Sequence, residues 1–173
     1  MQPKEETYVH VTHPFAPVFN ADSRVLVLGS LPSVLSRENA FYYGNPRNRF
    51  WHVIASVFDC PVPQTIDEKT ALLLQNGVAL WDVIASCDIV GSADATIRNA
   101  VPNDLSVILD ACPIRTIFAN GSTAGRIYDR FQKLRCGREI VVLPSTSPAN
   151  AAWRTDRLTA AWRVVRDVQQ TSL

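Results

Sequence analysis

Four short, almost unbroken apolar runs limit what this chain can fold into: residues 24–29 (RVLVLG), 78–81 (VALW), 116–119 (TIFA) and 140–143 (IVVL). A strand with one wet face alternates apolar and polar residues, so runs without alternation belong to strands buried on both faces, the habit of parallel sheets. Between them, apolar residues recur at helical spacing. Residues 49–58 carry Phe50, Val53, Ile54 and Val57 ahead of Pro61 and Pro63, and 67–75 carry Ala71, Leu72 and Leu74 ahead of Gly77. Residues 122–134 carry Ile127, Phe131 and Leu134, and 155–168 carry Leu158, Ala161, Trp162 and Val165. Strands alternating with helices predict an α/β three-layer sandwich around a central, mostly parallel sheet of four or five strands. Residues 88–102 are polar and without clear period, so a long surface connection is predicted there, ending at Asn103 as N-cap of a helix over 104–111.

No repeat, low-complexity tract or Gly/Ser linker divides the 173 residues, which predicts a single domain over 1–173 with 1–20 as an N-terminal extension. A net charge of +1 means that any contact with nucleic acid is local rather than driven by the overall field. Cys60, Cys87, Cys112 and Cys136 form no CxxC pair, which argues against a zinc or iron–sulfur site and against a dense disulfide framework, and predicts buried free thiols. The polar start of the chain and the lack of an apolar run near ~18 residues predict neither a signal peptide nor a membrane span. The expected compartment is the cytoplasm, or the nucleus in a eukaryotic source. GxGxxG and GxxxxGK[ST] are absent, and His10, His13 and His52 all fall too early for an α/β-hydrolase triad.

In open sheets of this class, ligands gather beyond the carboxyl ends of the strands. The loops expected there read GSLPS (29–33), ANGSTAG (119–125) and PSTSPAN (144–150), a neutral set of hydroxyls and amides that suits a polar uncharged heterocycle and phosphates. Each loop alone is also ordinary turn chemistry. The run FYYGNPRNRFW (41–51) is more specific, because aromatic rings, Asn and Arg in one loop can stack an extruded base, hold its edge or a water, and hold phosphate. Phe50 and Trp51 fit the stripe of the next helix and are expected in the core; Tyr43, in the loop proper, is expected to stack.

Taken in order and spacing over 24–162, GSLPS, YYGNPRNRFW, the strand ending in ANG and LPSTSPAN resemble the uracil-DNA glycosylase superfamily. Residues 45–54 are similar to mismatch-specific uracil-DNA glycosylases, and LPSTSPAN to the hypoxanthine (deoxyinosine) branch. The resemblance implies a base-excision repair enzyme that acts on damaged DNA without metal or other cofactor. It would flip out a deaminated base, foremost hypoxanthine but also uracil or xanthine, and hydrolyse its N-glycosidic bond. Leu31 departs from the pattern, since relatives carry there the Asn that positions the attacking water; Asn48, and after it Asn45, are the candidates to replace it. The resemblance places Tyr43 and Asn120 at the base, with Ser30 and Leu31 beside it. Ser33, Ser145, Thr146 and Ser147 fall on phosphate, Pro148, Ala149 and Asn150 enter the duplex, and Arg154, with Arg157, is a further phosphate candidate. Asp82 is a second-rank candidate for a carboxylate base. A monomer is expected. Two other readings stay open: a DNA-binding module that lost catalysis, kept alive by Leu31, and a small-molecule α/β enzyme for a phosphorylated metabolite.

Overall fold

The computed structural model describes residues 7–170. Four of the strands, β2 (Val25–Gly29), β3 (Val78–Asp82), β6 (Thr116–Asn120) and β7 (Ile140–Leu143), form a parallel sheet in the order β3-β2-β6-β7. Every residue of β2 and β3 is buried, which is why their sequences do not alternate. The sheet is flanked by helices: α2 (Phe50–Val57) packs on α7 (Thr155–Trp162), α3 (Ile66–Gln75) on β3, and α5 (Ser122–Phe131) on β6 and β7. Phe50, Trp51 and Trp162 belong to the core. The registers Gly29↔Asp82 and Asn120↔Leu143 bring the carboxyl ends of all four strands into one row. The loops singled out in the sequence therefore share one edge.

Four expectations are corrected. Residues 88–102 are not a plain connection: β4 (Ile84–Ile89) and β5 (Arg98–Pro102) join β1 (Val9–Thr12) in an antiparallel sheet, β1-β4-β5, with a 3-10 turn at Asp94–Thr96. Asn103 does not cap a helix; it is buried, and its side-chain amide donates to the carbonyls of Asp82 (2.8 Å) and Ile84 (3.1 Å), bracing the end of β3. The helix begins later, as α4 (Ser106–Leu109), with the Asp104 carboxylate receiving the Ser106 N–H and hydroxyl. Leu134 is 96% exposed, because α5 stops at Phe131 and buries Ala124, Gly125 and Tyr128 instead, leaving Leu134 on the short α6 (Lys133–Cys136). The last predicted helix breaks after Trp162, and α8 (Val164–Gln170) follows.

Residues 1–6 of the expected N-terminal extension lie outside the described residues. From residue 9 the chain is tied in, with β1 paired to β4 and Val18 bridging Leu80 along β3. All four cysteines are free; Cys87 and Cys112 are buried, Cys60 and Cys136 half-buried. Among the described residues no helix is long and apolar enough to cross a membrane.

Candidate active site

Beyond the row of strand ends lies a pocket of about 470 Å³, within the range of small-molecule sites. Its walls come from the first loop (Gly29 to Ser33), the aromatic loop (Tyr42, Tyr43, Asn45, Asn48), the ends of β3 and β6 (Asp82, Asn120) and the last loop (Ser145 to Ala149). These are the segments that the sequence singled out; the rest of the lining, Val34 to Ser36 with Ile89, Ser92, Ala93 and Asp94, lies outside them.

One hydrogen-bond chain orders the wall. The Asn120 amide donates to the Tyr43 hydroxyl (3.0 Å) and to Thr146 Oγ1 (2.9 Å), while its Oδ1 accepts from Thr146 N–H (3.0 Å). Both amide hydrogens are thus spent, and Asn120 keeps one lone pair rather than the donor–acceptor edge expected for reading a base. Its role in the geometry is to tie the aromatic loop to the last loop. The Thr146 hydroxyl then donates to Asn48 Oδ1 (2.8 Å), which also accepts from Phe50 N–H (2.9 Å). Because a backbone N–H only donates, the atom facing Phe50 must be the Asn48 oxygen, so the amide orientation is settled by its partners. Both lone pairs are used. What Asn48 presents to the pocket is its pair of N–H hydrogens, so a water beside it meets a donor and not the amide oxygen.

Tyr43 sits at φ 52°, a left-handed conformation uncommon for a residue with a side chain. Its ring lies on Phe50, centroids 4.1 Å apart and planes within 22°. Burial and the nearby charge of Asp82 push the Tyr43 hydroxyl pKa well up, so it remains a neutral phenol. Gly29 is required beneath it: a Cβ there would lie 3.1 Å from the Tyr43 hydroxyl and collide with Asp82 Oδ1.

Asp82 is buried at the floor, and its Oδ2 lies 2.7 Å from His13 Nε2. His13 attracts no attention in the sequence, since a lone His in an N-terminal segment has no spacing signal; only the pairing of β1 with β4 carries it to the pocket. Arg49, whose loop composition suggests a phosphate ligand, is instead a clamp. Its guanidinium donates to the carbonyls of Ser147 (2.9 Å), Asn150 (3.1 Å), Thr146 (3.4 Å) and Trp153.

The other predicted residues divide between pocket and local turns. Leu31 lines the pocket while packing against the small cluster of Val11, Ile84, Cys87 and Ile89 under the second sheet, which accounts for an apolar residue there. Ser30 donates to the Asp94 carboxylate (3.1 Å). Asn45 closes a turn by accepting from Arg47 N–H (3.0 Å), and Ser33 caps α1 (Val34–Glu38) through Ser36 N–H. Pro148 and Ala149 line the mouth, and Asn150 is turned back onto the Ser145 carbonyl (3.0 Å). Arg154 stands apart, 88% exposed and 3.7 Å from Asp156. Arg157 stacks on Trp153 at 3.9 Å.

A parallel α/β sheet carries at its strand ends a pocket lined by amides, hydroxyls and the carboxyl groups of Asp82 and Asp94 and walled by a tyrosine stacked on Phe50, an arrangement with the size and polarity for a polar flat ring. The family model of the uracil DNA glycosylase superfamily matches residues 16–169, and the chain belongs to that superfamily. It is 33% identical over 153 residues to a protein named hypoxanthine DNA glycosylase from Methanosarcina acetivorans, covering 87% of this chain and 95% of that one. A protein of the same name from Methanosarcina barkeri is 32% identical over 139 residues, covering 79% and 86%. The solution NMR structure of a Methanosarcina acetivorans protein described as a candidate uracil DNA glycosylase superposes with a TM-score of 0.79 at 32% identity, over 94% of this chain and all of that one.

Proposed function

We propose that this protein excises hypoxanthine from DNA, hydrolysing the bond between C1′ of deoxyribose and N9 of the base. The observation that carries the reading is Asn48, whose two N–H donors open into a pocket walled by Tyr43, in a chain about one-third identical over most of its length to proteins named for this activity. Extrusion from the duplex costs ~a few kcal/mol, least at a mispair, and stacking on Tyr43 offsets part of it. The C1′–N9 bond breaks ahead of attack and leaves oxocarbenium character on the sugar, so the water needs placement more than deprotonation. Asn48 supplies that placement as a donor: its N–H holds the water oxygen, and the second lone pair of the water faces C1′. The departing base takes the electron pair of the glycosidic bond, a water lone pair then forms the new C1′–O bond, and the proton lost by water ends on the base.

The last loop meets the DNA backbone through the hydroxyl hydrogens of Ser145 and Ser147, whose oxygens already accept from main-chain N–H groups, with Pro148 and Ala149 at the gap left by the base. Thr146 and Asn120 hold the wall, Asn45 its turn, and a single copy suffices because no second subunit is needed to complete the pocket. Release of free hypoxanthine from a labelled duplex with one deoxyinosine, read as strand breaks after alkali, tests the reaction. A duplex bound tightly but left intact, for hypoxanthine, uracil and xanthine alike, would favour the non-catalytic module. A sedimentation mass of twice the chain would refute the monomer.

A further inference from the structure

His13 falls before the stretch that the family model matches, yet its ring reaches the Asp82 carboxyl at the pocket floor. Its Nδ1 lies 2.8 Å from the Phe15 carbonyl oxygen; a carbonyl only accepts, so Nδ1 carries a hydrogen. Nε2 lies 2.7 Å from Asp82 Oδ2, with the two side chains 5% and 6% exposed. At that distance one proton lies between the two atoms. The pair is either imidazolium with carboxylate or imidazole with carboxylic acid, and in both forms the proton stays on the Oδ2 side. The ring is held by Phe15, edge-on at 4.9 Å, and by Tyr42, whose hydroxyl is fixed to the Ala16 carbonyl at 2.8 Å. Asp82 Oδ1 lies over Gly29, lines the pocket, and receives no hydrogen bond from the described residues.

We propose that His13 makes Asp82 an obligate hydrogen-bond acceptor at the floor of the base pocket, and that the pair selects bases with a ring N–H beside a carbonyl against adenine. The proposal rests on the glycosylase reading and adds the group that reads the base. The deoxyribose stays with the DNA backbone at the mouth, so floor atoms meet the edge of the base farthest from N9, which in hypoxanthine is N1–H and O6. This depth sets Asp82 against the far edge of the base and not against the water, the role expected from sequence. Asp82 Oδ1 accepts from N1–H in either form of the pair. Adenine brings a bare N1, whose lone pair would face that of Oδ1. A buried carboxyl without a partner readily takes up a proton. As a neutral acid with the proton on Oδ1 it would suit adenine, donating to N1 and accepting from the N6 amine. His13 removes that option by holding the proton on the other oxygen. Guanine carries the same N1–H, and its exclusion rests on the cost of extruding it from a G·C pair.

The test is the affinity of wild type, His13→Ala, His13→Gln and Asp82→Asn for duplexes with one 2′-fluorinated nucleotide bearing hypoxanthine or adenine, the fluorine slowing cleavage, and for a duplex with a base-free tetrahydrofuran. Wild type is expected to prefer hypoxanthine to adenine. His13→Ala and Asp82→Asn should shrink that ratio by about tenfold or more, as expected for a site that reads one N–H. Affinity for the base-free duplex should hold, and His13→Gln, which can still donate to Oδ2, should recover part of the ratio. An unchanged ratio in His13→Ala overturns the proposal, as do equal losses on all three duplexes, which would give the pair a purely structural role. Wild type that releases no hypoxanthine from ordinary deoxyinosine would sink the glycosylase reading, while the affinity ratio would still decide the role of the pair.

Discussion

The floor and the rim of the pocket use similar residues in opposite ways. At the floor His13 pairs with Asp82, and on the wall above it Tyr43, Asn120, Thr146 and Asn48 form one chain; both groups draw on distant segments, and what they leave free is specific: the N–H pair of Asn48 and Oδ1 of Asp82. At the rim, the side chains bond locally. Ser145 Oγ accepts from Ser147 N–H, Ser147 Oγ from Ala149 N–H, and the Asn150 amide donates to the Ser145 carbonyl. The rim is a self-closed turn, fastened to the body mainly by Arg49. The proposed reaction thus draws on residues with long-range contacts, and substitutions among them should change rate and selectivity while those at the rim change stability and DNA affinity.

The largest expected effect breaks or confirms this division at Asn48. Asn48→Ala should lower single-turnover release of hypoxanthine by about 10²–10³-fold, the range for loss of one oriented donor, with DNA affinity near wild type. Asn48→Asp is the sharper variant. It keeps the acceptor for Phe50 and Thr146 but has no N–H, so it should be as slow as Asn48→Ala. A fast Asp variant would mean that an acceptor holds the water and would refute the donor role.

Arg49→Met comes next, on the rim side. It removes the donor from four carbonyls, and leaving such groups poorly paired should cost ~2–3 kcal/mol in urea unfolding. Proteolysis should appear near residues 147–153 before the core opens. A variant as stable as wild type would show that the turn stands without its clamp.

Part of this division was legible in the sequence. Strands β2, β3, β6 and β7 are continuous aliphatic runs because they are covered on both faces, and the loops at their carboxyl ends announced the pocket. The second sheet was not legible. β4 has register shifts between Ile84 and Ser86 and between Ser86 and Asp88, and β5 is largely exposed, so neither shows clean alternation. Missing β4 and its partner β1 also hid His13, which reaches Asp82 only through that pairing. Tyr43, Asn48 and Asp82 could be picked as residues, but their roles depend on which lone pairs and hydrogens are already spent. Asn48 and Asn120 are the same residue type in similar polar loops; only their partners make one a donor to the pocket and the other a brace.

Between floor and rim, Thr146→Val sharpens the comparison by removing one hydroxyl at nearly constant volume. Thr146 Oγ1 links Asn120 to Asn48, and without it Asn48 keeps only the Phe50 N–H to hold its amide. Looser placement of one donor should slow release by about five- to tenfold, roughly 1 kcal/mol, while affinity for a base-free duplex is unchanged. Equal loss of rate and affinity would mean that Thr146 belongs to the rim.

The smallest effect is expected at Arg154, outside both networks. Its side chain is 88% exposed, and its 3.7 Å contact with Asp156 is an exposed pair of the kind that contributes little to stability. Arg154→Ala should leave unfolding and the rate of release unchanged. If the guanidinium meets a phosphate beside the rim, the slope of log affinity against log salt should fall by about one, the signature of one lost phosphate contact. A slope equal to that of wild type would make Arg154 a solvated helix start and leave the turn to meet DNA through the Ser145 and Ser147 hydroxyls. That outcome would deepen the contrast with the floor, because the turn from Ser145 to Asn150 carries no charged side chain.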